Sequence, residues 1–337
     1  MKKNFKYIVL IMILLVSITI TSTTPCYALG ATPTGSSLVY IRGIKSGKYI
    51  DVPDGDVSSG EAVQLYSGNE STAQRWQIQT YSGDWCTIRS AINSNYYLSL
   101  SGSAGSNGTT IVIEYITSST IPARAQFRID DFGSGVARIV NRASFNSGTS
   151  RYLEPSGGSV TNGTSIVQWT PYNSSYDEAI NQLWVFESTT RSVRVMSWNL
   201  VDSGGHCDWS GSTKYQTLFN TAIDAWNTSM GVTRFRKDTV SILEDFDIKD
   251  KSTDPTGEGA FARTGQSGYI HFYTDAMDSL TSNAERQKTI MHELGHALGL
   301  DHNNIGSGDI MRQGELAYST SLSLNDKASY NAAVARY

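Results

Sequence analysis

The sequence predicts two units of different class, an all-β unit built as a threefold repeat and, after it, an α+β unit. A stretch of about 50 residues recurs three times between residues 37 and 187. A polar connector at residues 188–192 ends the pattern, and beyond it apolar positions recur at both helix and strand spacing. The length, 337 residues, suits about two domains. Charged residues are only 17%, while 30 Gly and 18 Tyr enrich turn-rich β structure. Without Lys2, Lys3 and Lys6 the net charge falls from −4 to −7, so no basic field is present and nucleic acid is excluded as a partner.

The amino terminus reads as an address. Three lysines precede an apolar run at residues 8–20, and Cys26-Tyr27-Ala28 follows as a small-x-small cleavage pattern. The run is 13 residues, short of the roughly 20 a spanning helix needs. Residues 1–28 are therefore read as a secretory signal peptide, and the mature chain as extracellular with no membrane span. Of the three cysteines, Cys86 and Cys207 remain after cleavage, and a bridge between them is left open.

Each repeat has the same order: a strand, a Gly/Ser/Asn-rich turn, a second strand and a closing aromatic. The first strands are Tyr49-Ile50-Asp51, Tyr97-Leu98-Ser99 and Tyr152-Leu153-Glu154. The second end on Tyr66, Tyr115 and Trp169, and the closing aromatics are Trp76, Phe127 and Trp184. Short strands with frequent turn signals and no helical period predict a closed barrel. With Gln74-x-Trp76 and Gln182-x-Trp184, the region 37–187 resembles the ricin-type lectin repeat, which implies a β-trefoil and a carbohydrate ligand. In that resemblance Asp51 is the sugar-binding carboxylate, Tyr66 the stacking aromatic and Asn69 the neighbouring amide. Repeat two has Ser99 in the carboxylate position, which implies a lost site. Repeat three offers Glu154 and Trp169, with Asn173 nearby.

Residues 193–337 form the second unit. Residues 193–196 alternate as a strand, and Tyr215, Leu218, Phe219, Ala222, Ile223 and Trp226 trace one face of a helix. Residues 268–273 read as another strand, and residues 284–298 as a second helix ended by Gly299.

That second helix carries His292-Glu293-x-x-His296, followed by Gly299 and His302. Positions four apart share a helix face, so His292 and His296 converge beside Glu293. Gly299 lets the chain leave the helix and return His302 as a third ligand. Three histidines with one open position is the pattern of catalytic zinc. Zinc lowers the pKa of its water to about 7, and Glu293 is placed to take the proton during attack on a peptide carbonyl.

Met311 follows nine residues after His302, and with it the set resembles the metzincin zinc peptidases, the matrixins above all. The resemblance implies one catalytic Zn2+, a methionine turn at Met311 beneath it, and a strand at residues 268–273 that pairs with extended substrate. It also allows a stabilising Ca2+. The sequence departs from matrixins at Asn303, after the last histidine, and at Gly259, which stands where His271 would need a partner for a structural zinc. The expectation is a secreted, monomeric zinc endopeptidase acting on a protein or glycoprotein substrate to which the lectin unit tethers it. Removal of residues 29–187 should then leave cleavage of a soluble peptide intact. Two alternatives are a lectin whose zinc unit is catalytically idle and a toxin-like protease that the lectin delivers to host cells.

Overall fold

In the computed structural model, residues 37–102, 106–133, 135–172, 179–239, 244–304, 308–314 and 319–337 are described. The signal peptide at residues 1–28 and Asn173 lie outside them. Twelve short strands precede residue 189, four to a repeat. Repeat one contains β1 (Leu38–Gly43), β2 (Tyr49–Asp51), β3 (Gln64–Tyr66) and β4 (Trp76–Ser82). Repeat two contains β5 (Trp85–Ser90), β6 (Tyr96–Leu100), β7 (Ile111–Tyr115) and β8 (Phe127–Gly133). Repeat three contains β9 (Val136–Asn141), β10 (Tyr152–Pro155), β11 (Thr164–Trp169) and β12 (Trp184–Ser188).

The outer strands of each repeat close a barrel, because β1 pairs with β4 and β12, β5 with β4 and β8, and β9 with β8 and β12. The inner pairs β2–β3, β6–β7 and β10–β11 form three hairpins that cap it. This is a β-trefoil. Its core takes Val39, Ile41, Trp76, Ile88, Phe127, Ile139 and Trp184 from all three repeats. Trp76 Nε1 donates to the Ile50 carbonyl at 3.0 Å and Trp184 Nε1 to the Leu153 carbonyl at 2.9 Å, so each indole is satisfied while buried.

The second unit holds a five-stranded sheet in the order β14 (Phe235–Lys237), β13 (Cys207–Ser212), β15 (Phe246–Lys251), β17 (Tyr269–Tyr273), β16 (Ala262–Gly265). The first four are parallel, and β16 runs antiparallel to β17. Parallel neighbours need a crossover, supplied between β13 and β14 by α2 (Gln216–Met230), which follows the short α1 (Arg142–Asn146) of the trefoil. After the single-turn α3 (Thr274–Ser279) comes α4 (Asn283–Ala297), started by a capping box between Ser282 and Glu285. Phe219, Ala222, Ile223 and Trp226 turn the buried face of α2 to the core, and Trp226 Nε1 donates to the Met291 carbonyl of α4 at 3.0 Å. The last helix, α5 (Leu324–Val334), begins at a second capping box, Ser323 with Asp326.

Two expectations are corrected here, and one open alternative is decided. Residues 193–196 do not join the sheet; they lie against the end of α4, where Met196 N donates to the Gly299 carbonyl and Val195 makes one bridge to Leu300. The strand at 269–273 is an inner strand, because the chain doubles back through Gly268 (φ +84°) and makes β16 the free edge. A Cβ at Gly268 would come within 2.6 Å of the Asp245 carbonyl oxygen, so glycine is needed at that turn. Cys207 is a buried free thiol hydrogen-bonded toward the Leu200 carbonyl, and no Cys86–Cys207 bridge forms.

The two units touch directly. In β1 every residue after Leu38 is buried, not just the alternate ones that face the barrel. Tyr40 packs with Tyr49 and with Leu324 of α5 in one small cluster, and Arg42 is wholly enclosed.

Candidate metal centre and hairpin clefts

His292 and His296 stand one turn apart near the end of α4, and the helix stops at Leu298. Gly299 takes φ +87°, a conformation that strains any residue with a Cβ, and the turn it makes brings His302 back over the helix. His302 Nε2 lies 3.2 Å from His292 Nε2 and 3.1 Å from His296 Nε2. Three ligands of a tetrahedral zinc at 2.0–2.1 Å would be roughly 3.4 Å apart, so the set fits that ion closely. The orientation is fixed from behind. The Ile310 carbonyl faces His292 Nδ1 at 2.8 Å and the Leu300 carbonyl faces His296 Nδ1 at 2.8 Å. A carbonyl can only accept, so each Nδ1 carries the proton and each Nε2 presents a lone pair inward. Burial lowers the pKa of all three rings, which favours the neutral form a cation requires.

Glu293, on the neighbouring face, is almost fully buried, and burial raises its pKa. Thr264 on β16 opposes this: its hydroxyl lies 2.7 Å from Glu293 Oε2 and 2.9 Å from the Glu293 carbonyl. A cleft of about 120 Å³ opens beside His292 and Glu293, walled by Phe261 and Ala262 on one side and Arg312 and Gln313 on the other. Met311 packs against α4 at Gly295. Its Sδ would be 2.3 Å from a Cβ at Gly295, so only glycine admits it there. Asp326 of α5 holds this turn, accepting from Ile310 N at 2.9 Å and Met311 N at 3.2 Å. His271 stacks on Tyr269 at 4.3 Å and lies outside the centre.

On the hairpin of repeat one, a wider cleft of about 470 Å³ is bounded by Asp51, Asp54, Gln64, Tyr66 and Asn69. Gln64 Nε2 donates to Asp51 Oδ1 at 2.8 Å, fixing the carboxylate at the cleft floor, and Tyr66 is exposed beside it. Asn69 is held by its own turn, Oδ1 accepting from Ser71 N at 3.0 Å.

Residues 27–114 match the family described as ricin-type beta-trefoil lectin domain-like. No curated protein matches the chain. Among solved structures, the designed threefold-symmetric ThreeFoil is 23% identical, with a TM-score of 0.39, over 45% of this chain and 98% of its own. The Macrolepiota procera ricin B-like lectin, solved with lactose, is 23% identical, with a TM-score of 0.37, over 47% of this chain and 99% of its own. An exo-beta-1,3-galactanase from Clostridium thermocellum is 19% identical, with a TM-score of 0.40, over 47% of this chain and 32% of its own.

The other two hairpins of the trefoil differ from the first. In repeat two Ser99 donates to Glu114 Oε2 at 2.6 Å, and Glu114 is closed off by an ion pair with Arg124. In repeat three Glu154 is buried, accepting from Gln182 Nε2 at 2.9 Å and from the Tyr172 hydroxyl at 3.4 Å, while Trp169 stays partly exposed. Gln64, Asp54 and Thr264 were not singled out by the sequence. Nothing in their spacing marks them; strand pairing across Asp51 and Gln64 is the only signal that reaches one of them.

Proposed function

We propose that the chain is an exported, zinc-dependent endopeptidase of the metzincin, matrixin-like type, with a trefoil that binds carbohydrate on its target. The convergence of three histidine Nε2 atoms beside Glu293 carries this reading. Bound zinc would supply a Lewis acid and lower the pKa of water. The chain's own residues do the rest. The Glu293 carboxylate takes a proton from the attacking water and returns it to the leaving amine. Thr264 donates to that carboxylate and fixes its rotamer. The free edge of β16 offers unpaired backbone groups to an extended peptide, which aligns it along the cleft. Asp51 and Asn69 suit paired sugar hydroxyls, and Tyr66 suits the apolar face of a pyranose. The leader at residues 1–28 supports export.

Digestion of casein by the mature chain and by Glu293→Gln, with zinc measured in both, tests the reading. Cleavage should fall at least about 100-fold in the variant at equal zinc content. Equal cleavage by both forms would refute the role of Glu293. A second reading, a lectin with an idle zinc unit, is favoured by the family match lying within residues 27–114. Zinc bound by both forms with no cleavage of any protein by either would select it.

A further inference from the structure

Arg42 belongs to the barrel, yet its guanidinium points away from the barrel core into the second unit. It has no exposed surface. Nη2 donates to the Gly308 carbonyl at 3.0 Å, and Nη1 reaches Ser319 Oγ at 2.9 Å, Ser321 Oγ at 3.2 Å and the Ser321 carbonyl at 3.4 Å. Nε pairs with Glu187 of β12, whose other oxygen accepts from the Tyr49 hydroxyl at 3.0 Å and from Leu324 N at 3.5 Å. Gly308 is pressed on the same barrel face. At φ +74° its added Cβ would fall 2.9 Å from Val185 Cγ2 of β12. Three residues on from Gly308 is Met311, and between them the Ile310 carbonyl orients His292.

We infer that the trefoil is a fixed brace of the histidine centre, and that Arg42 is the positioning residue through which it holds the turn at residues 308–311. A buried guanidinium with five acceptors in place is held from several sides, and removing it takes the donor from Glu187 Oε1 and from the Gly308 carbonyl. The turn would keep its ties to Asp326, Asn325 and Asn303 but lose its anchor at Gly308, and the Ile310 carbonyl would be aimed less firmly at His292. The lectin unit therefore acts on the second unit by contact as well as by tethering.

Hydrogen exchange of the full mature chain, read by mass spectrometry, tests this. In Arg42→Met the peptide spanning residues 308–314 should exchange at least about 10-fold faster, while peptides from β4–β5 and α2 keep the parent rate. Zinc affinity should weaken about 10-fold, as for lost support behind a metal ligand. Exchange of 308–314 at the parent rate would overturn the inference. Should Arg42→Met fail to fold, Gly308→Ala leaves Arg42 and Glu187 in the sequence and pushes the turn away from Val185 and Arg42 Nη2. It should accelerate the same peptide, and no change in it would equally overturn the brace. The zinc readout rests on the proposed function, whereas the exchange readout does not. A parent that binds no zinc defeats the former and leaves the latter decided.

Discussion

Asp309 sits beside the methionine turn with almost no exposed surface, and Asn325 Nδ2 donates to it at 3.1 Å. Burial pushes its pKa up to about 7, helped by the neighbouring carboxylates Asp326 and Glu187. The folded chain therefore keeps a proton that the unfolded chain releases near pH 4. The Asp309 contribution to stability therefore falls as pH rises between those two values and is level above about 7. Asp309→Asn should abolish that fall. Its melting temperature should equal the parent's near pH 4 and exceed it by at least about 3 °C at pH 8. The same offset at both pH values would show that ionisation of Asp309 is not the cause. At this scale the sequence was legible where chemistry is local. His292, Glu293, His296 and His302 lie within eleven positions, and helix geometry with the turn at Gly299 brings them together. Thr264 reaches Glu293 across 29 positions and Arg42 reaches Gly308 across 266, and no spacing rule spans such distances.

Helix α4 shows why a rule about elements can reverse at one position. Glycine inside a helix is about 1 kcal/mol worse than alanine, so Gly295→Ala would ordinarily stabilise. Here the new Cβ would fall 2.3 Å from Met311 Sδ and 3.3 Å from Trp226 Cζ2, and the methionine would have to leave its place against the helix. The substitution should cost about 1–3 kcal/mol net, seen as an earlier urea midpoint with unchanged slope. A later midpoint would mean that Met311 moves away freely. The periodic elements, α2, α4 and β17, were readable because their burial pattern is carried by their own residues. β16 was not, since four residues with one buried side chain carry no period, and residues 193–196 alternate without finding a partner strand.

For the whole molecule, composition and repeat pattern expose the two units but not their joint, because Tyr40 and Arg42 occupy the alternate positions of β1 that lie outside the barrel core, and no repeat marks what covers them. The joint is asymmetric. The trefoil core draws only on residues between Val39 and Phe186, and once uncovered, Arg42 and Glu187 still pair with each other in water. The second unit also has its own core, between Leu200 and Ala333, but on its own the turn at 308–311 loses the Arg42 donor and the start of α5 loses the Glu187 acceptor. Residues 37–192 expressed alone should therefore melt near the temperature of the same transition in the full chain. Residues 193–337 alone should melt about 5–10 °C below theirs, a loss of roughly 2 kcal/mol. Adding the trefoil in trans should restore part of it, because Arg42 then finds its acceptors again. A second unit as stable alone as in the full chain would return the trefoil to the tether that the sequence suggested, and truncation would then spare peptide cleavage.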